Sequence, residues 1–129
     1  MKISKLSKKV LSWLLIASLL LCVGCVKQED ISEDLIEESY IEYHFRNDKL
    51  LNQHYEKHGI DMGFDSPKEY ESAASDVINN DEALSKQESE DNDFVFYIED
   101  TNEFVVLSED GYIRTYFLPD AGISYYEKQ

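Results

Sequence analysis

The spacing of apolar and polar residues changes character along this chain. Residues 10–21, VLSWLLIASLLL, form an almost unbroken apolar run, and residues 26–39, VKQEDISEDLIEES, are acidic with few apolar positions. The acidic stretch predicts a solvated tether or a marginal helix. From Tyr40 to Arg46, Ile41, Tyr43 and Phe45 alternate with Glu42, His44 and Arg46. That period of two predicts a strand, although a helix continuing from residue 31 fits the same stretch. Asn47-Asp48 then offers N-cap chemistry for a helix reaching about His58, with Leu51, Tyr55 and His58 on one stripe and Gly59 as its left-handed stop.

The next helix has the clearest start in the chain. Ser66-Pro67-Lys68-Glu69 combines an N-cap serine, a proline at the first helical position and a glutamate at N3. Tyr70, Ala73, Ala74, Val77 and Ile78 follow at helical spacing, so this helix should lie on a core and end near Asn79-Asn80. Residues 85–93, SKQESEDND, predict a polar, mobile loop. Beyond it the period becomes extended: FVFYIE (94–99), EFVVLS (103–108) and YIRTYFL (112–118) are rich in β-branched and aromatic residues and separated by short turn clusters. Such short links predict antiparallel neighbours, and Pro119 to Gly122 turn the chain into a last short segment, ISYY. The expected architecture is α+β, two helices packed on a three- to four-stranded antiparallel meander spanning residues 40–129.

Charge divides the chain further. Lys2, Lys5, Lys8 and Lys9 precede the apolar run with no acid among them, and that run is too short for a comfortable membrane span, which needs about 20 residues. A charged start, a short apolar region and a small-residue end make an export signal. Leu21-Cys22-Val23-Gly24-Cys25 resembles the lipobox of bacterial lipoproteins, with Gly24 before the cut and Cys25 as the acylated new N-terminus. The resemblance implies a signal peptide over 1–24, an acylated cysteine and acidic tether over 25–39, and a protein anchored to the extracytoplasmic face of the cell membrane. With Cys22 removed and Cys25 acylated, no thiol remains for a disulfide, a zinc site or a nucleophile. Residues 25–129 carry 8 basic against 27 acidic residues, a net charge of 8 − 27 = −19, compared with −15 for the whole chain. Such a polyanion is repelled by phosphate backbones and suits a cationic partner.

Candidate chemistry gathers in two places. His54, Lys57 and His58 fall on adjoining positions of one helical face, where a neutral-pKa histidine can act as acid or base and a lysine can stabilise a developing anion. The same residues also suit the end of a helix, with Lys57 and His58 complementing its negative pole. Two histidines at i, i+4 can clasp a metal, yet the residues between them, Tyr55-Glu56-Lys57, are not those of the zincin helix and a lysine beside a cation is unhelpful, so no metal and no cofactor are expected. Arg46 and Arg114, the two arginines of the chain, are the natural anion-binding forks. Tyr112 and Tyr116, flanking Arg114, could stack bases or form a protein-binding face. Thr101-Asn102 is first of all hairpin chemistry.

Five motifs in order, Phe45-Arg46-Asn47, His54 to Gly59, Ser66 to Tyr70, Thr101 to Val106 and Asp110 to Pro119, make residues 43–129 resemble small C-terminal modules of bacterial polymorphic toxins. These are similar in layout to the barnase, EndoU, colicin and RelE-like ribonuclease fold. The resemblance implies metal-independent RNA cleavage with His54 and His58 as acid and base, Lys57 and Arg114 stabilising the phosphate, and Thr115 and Asn102 positioning substrate. Two expectations therefore stand side by side. One is a non-catalytic binding module for a protein or cationic ligand; the other is a ribonuclease-type domain, with RNA as partner only in that case.

Overall fold

Asn47 opens the first helix of the computed structural model, which describes residues 39–129. Its extended backbone turns the side chain onto the Leu50 amide, which donates to it at 3.0 Å. Helix α1 runs Asp48–His54 and passes directly into a π-helical turn, Tyr55–Gly59, closed by the Ile60 amide donating to the Tyr55 carbonyl. Helix α2, Pro67–Ile78, is capped as its sequence foretells, by Ser66 accepting from the Glu69 amide. The Glu69 carboxylate reaches back one residue further than a capping box requires, to the Asp65 amide.

The strands are β1 (His44–Phe45), β2 (Leu84–Gln87), β3 (Phe94–Ile98), β4 (Glu103–Leu107) and β5 (Tyr112–Phe117), followed by a short helix α3, Ile123–Glu127. They form one sheet in the order β1-β5-β4-β3-β2, antiparallel except for the parallel pair β1 and β5. The protein is thus α+β, but its sheet is mixed and five-stranded, wider than the expected meander. Both faces are covered. Tyr70, Ala74 and Val77 of α2 meet Ile98, Val105, Leu107, Ile113 and Tyr116 on one face. On the other, Val95, Tyr97 and Phe104 pack against Ile123, Tyr125 and Tyr126. No helix among the described residues is long and apolar enough to cross a membrane. The expected signal peptide, Cys25 and nearly all of the tether lie outside the described residues.

Three local expectations are corrected. Only His44 and Phe45 join the sheet from the alternating stretch 40–46. The backbone before them is satisfied by α2 side chains instead: the Ile41 amide donates to Asn79 Oδ1, Asn79 Nδ2 donates to the Ile41 carbonyl, and the Tyr43 amide donates to Ser75 Oγ. The stretch expected to be a mobile loop supplies residues 85–87 of β2, whose pairing from Leu84↔Tyr97 to Gln87↔Phe94 makes it the outer strand. Three of its four side chains are exposed, so it carries little apolar signal, as edge strands commonly do. Gly59 is not a left-handed stop; Gly63, at φ 91°, takes that conformation. Gly59 is buried within the π turn, where a Cβ would stand 2.5 Å from Tyr55 Cδ2 and 2.9 Å from Tyr70 Cδ2. The last short segment, ISYY, is helical.

A β-bulge breaks the alternation of β5. Val106 pairs with Thr115 and Leu107 with Ile113, leaving Arg114 as the extra residue. The inserted residue puts Ile113 and Tyr116, three apart, on the same α2-covered face.

Candidate functional site

The histidine pair sits between two phenylalanines. Phe45 stacks on His54 at a ring-centroid distance of 5.3 Å, His54 on His58 at 6.2 Å, and His58 on Phe117 at 5.3 Å, with interplanar angles of 29°, 27° and 26°. These are ordinary offset-stacking distances. The row bridges β1 to the far end of β5. It has a structural reason, because β1 pairs only with Tyr112 and Ile113, and the π turn packs on the same strand, reaching Phe117. Lys57, His58, Asp61, Met62, Phe117, Leu118 and Asp120 line an open cleft of about 250 Å³ beside it.

Burial lowers the pKa of His54, with His58 and Lys57 adding to the effect. Burial and Lys57 likewise lower that of His58, against a smaller opposing pull from Asp61. His54 Nδ1 is buried without a hydrogen-bond partner. At neutral pH both rings are therefore uncharged, a state compatible with stacking and with acid/base chemistry alike.

The two arginines meet elsewhere, at the end of the sheet where the β2–β3 and β4–β5 hairpins turn. Arg46, Asp93, Ser108, Glu109, Asp110 and Arg114 line a second open cleft, of about 400 Å³. Arg46 Nη2 donates to both carboxylate oxygens of Asp110 at 2.8 Å while its guanidinium lies 4.3 Å above the Tyr112 ring. Ser108 Oγ donates to Asp110 Oδ1 at 2.6 Å, and the serine hydroxyl and Arg46 together hold the Asp110 carboxyl below its usual range. Arg114 Nη1 donates to Asp93 Oδ2 at 2.6 Å and stands 3.9 Å from Asp91 Oδ2. Both forks read from the sequence are thus occupied by carboxylates of the chain itself.

Glu88, Asp91 and Asp93 form a cluster whose carboxylate oxygens lie within 4.8 Å of one another. Arg114 supplies its cation. Burial, together with Asp93, Asp91 and Glu90, raises the pKa of Glu88.

The structure therefore gathers the expected site residues into two groups. His54, Lys57 and His58 stay together, and Arg46, Tyr112 and Arg114 stay together, but the two clefts share no lining residue. Thr115 is half-buried in the ladder opposite Val106 and lines neither cleft. Asn102 is a turn residue at φ 58°, accepting from Tyr97 Oη at 2.7 Å and donating to the Pro119 carbonyl at 3.0 Å. Tyr116 is not on an exposed face with Tyr112; it is fully buried, and its hydroxyl donates to Glu103 Oε1. The bulge at Arg114 is the reason.

Asp93, Ser108 and Asp110 escape a sequence reading because they lie in turns, where Asp and Ser are expected for backbone reasons alone. Phe117 escapes because nothing local announces that it will stack on a histidine 59 positions earlier. No known protein family matches the chain, and no curated protein matches it.

Proposed function

We propose that the chain is a lipid-anchored, extracytoplasmic protein whose α+β domain is a non-catalytic binding module for a cationic partner, a basic protein segment, at the cleft between the β2–β3 and β4–β5 hairpins. The observation that carries this reading is the pairing of Arg46 with Asp110 and Tyr112, and of Arg114 with Asp93. Arg46, resting on a carboxylate fork and an aromatic face, exemplifies the chemistry that a partner's guanidinium would take up on displacing it. Glu109 at its lining and the exposed Glu90 and Asp91 in the adjoining loop add anionic positions, in a domain whose net charge is strongly negative. Long-range attraction then steers a basic segment toward it.

The ribonuclease-type alternative retains one supporting observation, the juxtaposed neutral His54 and His58 beside Lys57. It lacks a free guanidinium for the phosphate, since Arg114 is held by Asp93.

Full-length protein in detergent, titrated with a fluorescent oligoarginine peptide, separates these readings. Tight binding that weakens with salt, and weakens further in Glu109→Gln/Asp110→Asn than in the equally neutralised Asp81→Asn/Glu82→Gln control, supports the binding module. Binding indifferent to which pair is neutralised would remove the cleft from it. RNA cleavage in the presence of EDTA, abolished by His54→Ala/His58→Ala, would replace it with the nuclease. The anchor has its own test: Cys25→Ser should move the protein from the membrane to the soluble fraction.

A further inference from the structure

We propose that the stacked His54 and His58 rings form an acid-sensitive latch, whose protonation frees the segment Asp48–Gly59 from β5 and bares that strand's edge beyond Ile113. The geometry supplies each part. The edge of β5 is guarded in two ways, by β1 at Tyr112 and Ile113 and by the π turn, which packs on the strand and reaches Phe117 through His58. Leu51 and Tyr55 seat that segment on the core, and its side-chain hold along the sheet's rim is the ring row, Phe45 on His54 on His58 on Phe117. Its two outer members cannot titrate; its two inner members can.

The surroundings oppose charge on those inner rings. Facing His54 from its own helical segment are His58 and Lys57, both cations in acid, and from β1 the uncharged ring of Phe45. Facing His58 are Lys57 and Asp61 from the same segment, Phe117 from β5, and Asp120 from the chain beyond it across the shared cleft. The charged groups of neighbouring elements are engaged elsewhere: Glu71 of α2 with His44, and Arg46 with Asp110. Among the described residues His54 and His58 have no carboxylate within ion-pair reach, whereas His44 has Glu42 and Glu71. A doubly protonated pair would place two like charges in adjacent stacked rings, and the buried His54 Nδ1 would carry a hydrogen with no acceptor.

Once the segment lifts, the backbone edge of residues 114–117, apart from the Tyr116 carbonyl that the Tyr70 hydroxyl holds, is open for pairing, the usual means by which an extended peptide adds to a sheet. The latch is independent of the cationic cleft, which lies at the hairpin end and includes neither histidine.

Hydrogen exchange on full-length protein in detergent at pH 7.5 and 5.0, corrected for intrinsic rates, tests the latch. Peptides covering 48–59 and 114–117 should lose protection by at least tenfold at the lower pH, with β3 and β4 unchanged. In His54→Phe/His58→Phe, which keeps four stacked rings and removes both titrations, protection should persist at pH 5.0. Equal protection of 48–59 at both pH values in the unmodified protein overturns the proposal. So does an acid-induced loss that survives in the phenylalanine variant, since carboxylates would then be its source. If that variant does not fold, the imidazole ring protons of the unmodified protein decide by NMR: opening that does not follow their titration excludes the latch.

Discussion

Arg114 Nη1 lies 2.6 Å from Asp93 Oδ2, joining a half-exposed guanidinium to a carboxylate whose side chain keeps only 6% of its exposure. The bulge that breaks the β4–β5 register supplies the arginine, and the turn before β3 supplies the aspartate. The pair is asymmetric: the arginine can find water, the aspartate cannot. Arg114→Ala should therefore destabilise the domain by about 1–2 kcal/mol, a reduced share of the cost of stranding a buried charge because Arg114 is itself half exposed. Urea denaturation measures it, and adding Asp93→Asn should recover part of the loss. If Arg114→Ala is neutral, the contact is merely opportunistic.

Tyr70 and Tyr116 make the central aromatic pair, 5.1 Å apart at 31°, and the Tyr70 hydroxyl donates to the Tyr116 carbonyl. Burial raises both phenols' pKa values well above the ordinary range, so neither ionises in the folded protein near neutrality. Tyr70→Phe keeps the ring and orphans a buried carbonyl, which should cost about 1–3 kcal/mol. Tyr70→Ala also opens a cavity and should cost about 3–5 kcal/mol. Equal losses from the two would mean that the hydroxyl, not the ring, dominates.

Gly59 and Gly63 test sterics against backbone conformation. A methyl at Gly59 runs into Tyr55 and Tyr70, whereas one at Gly63 meets open space but must adopt φ 91°. Gly59→Ala should cost about 1–3 kcal/mol through displaced rings, and near-ultraviolet circular dichroism should change with it. Gly63→Ala should cost about 1 kcal/mol, with those aromatic signals intact.

Stability should fall in mild acid. His54 and His58 have folded-state pKa values below the ordinary 6.5, so the unfolded chain binds protons more readily than the native one. Their contribution is fully present above pH 6.5 and is lost as pH falls from there through the folded values. Urea midpoints at pH 7.5 and 5.0 should show the decline, and His54→Phe/His58→Phe should flatten it. Asp110, lowered instead, acts further down: its contribution is present above about 3.8 and lost below.

Those residues also mark how far the sequence could be read. Helix α2 and strands β3 to β5 were legible because each carries its own period and its own punctuation, from Ser66-Pro67 to Asp110-Gly111. The N-cap at Asn47 was legible for the same local reason. Strand β2 was not, because an edge strand with exposed side chains satisfies its backbone without an apolar face. The bulge was not, because a single extra residue leaves composition untouched while reversing every later side chain, and Tyr116 moved from surface to core by that means alone. In the candidate site, the histidines and arginines stood out by type. Their partners did not: Asp110 is 64 residues from Arg46, and Asp93 is 21 from Arg114.

The extended stretch from Tyr40 to Phe45 runs opposite in direction to α2, with Ile41 at Asn79, Tyr43 at Ser75 and Phe45 at Glu71. Any tension entering the domain through Ser39 reaches these attachments in that order. Where that tension points away from α2, the seam peels one rung at a time instead of shearing all rungs together. Only after Phe45 is released does the load arrive at the β1–β5 pairing and the first aromatic ring of the row. The entry segment is thus a mechanical fuse, yielding before the sheet does.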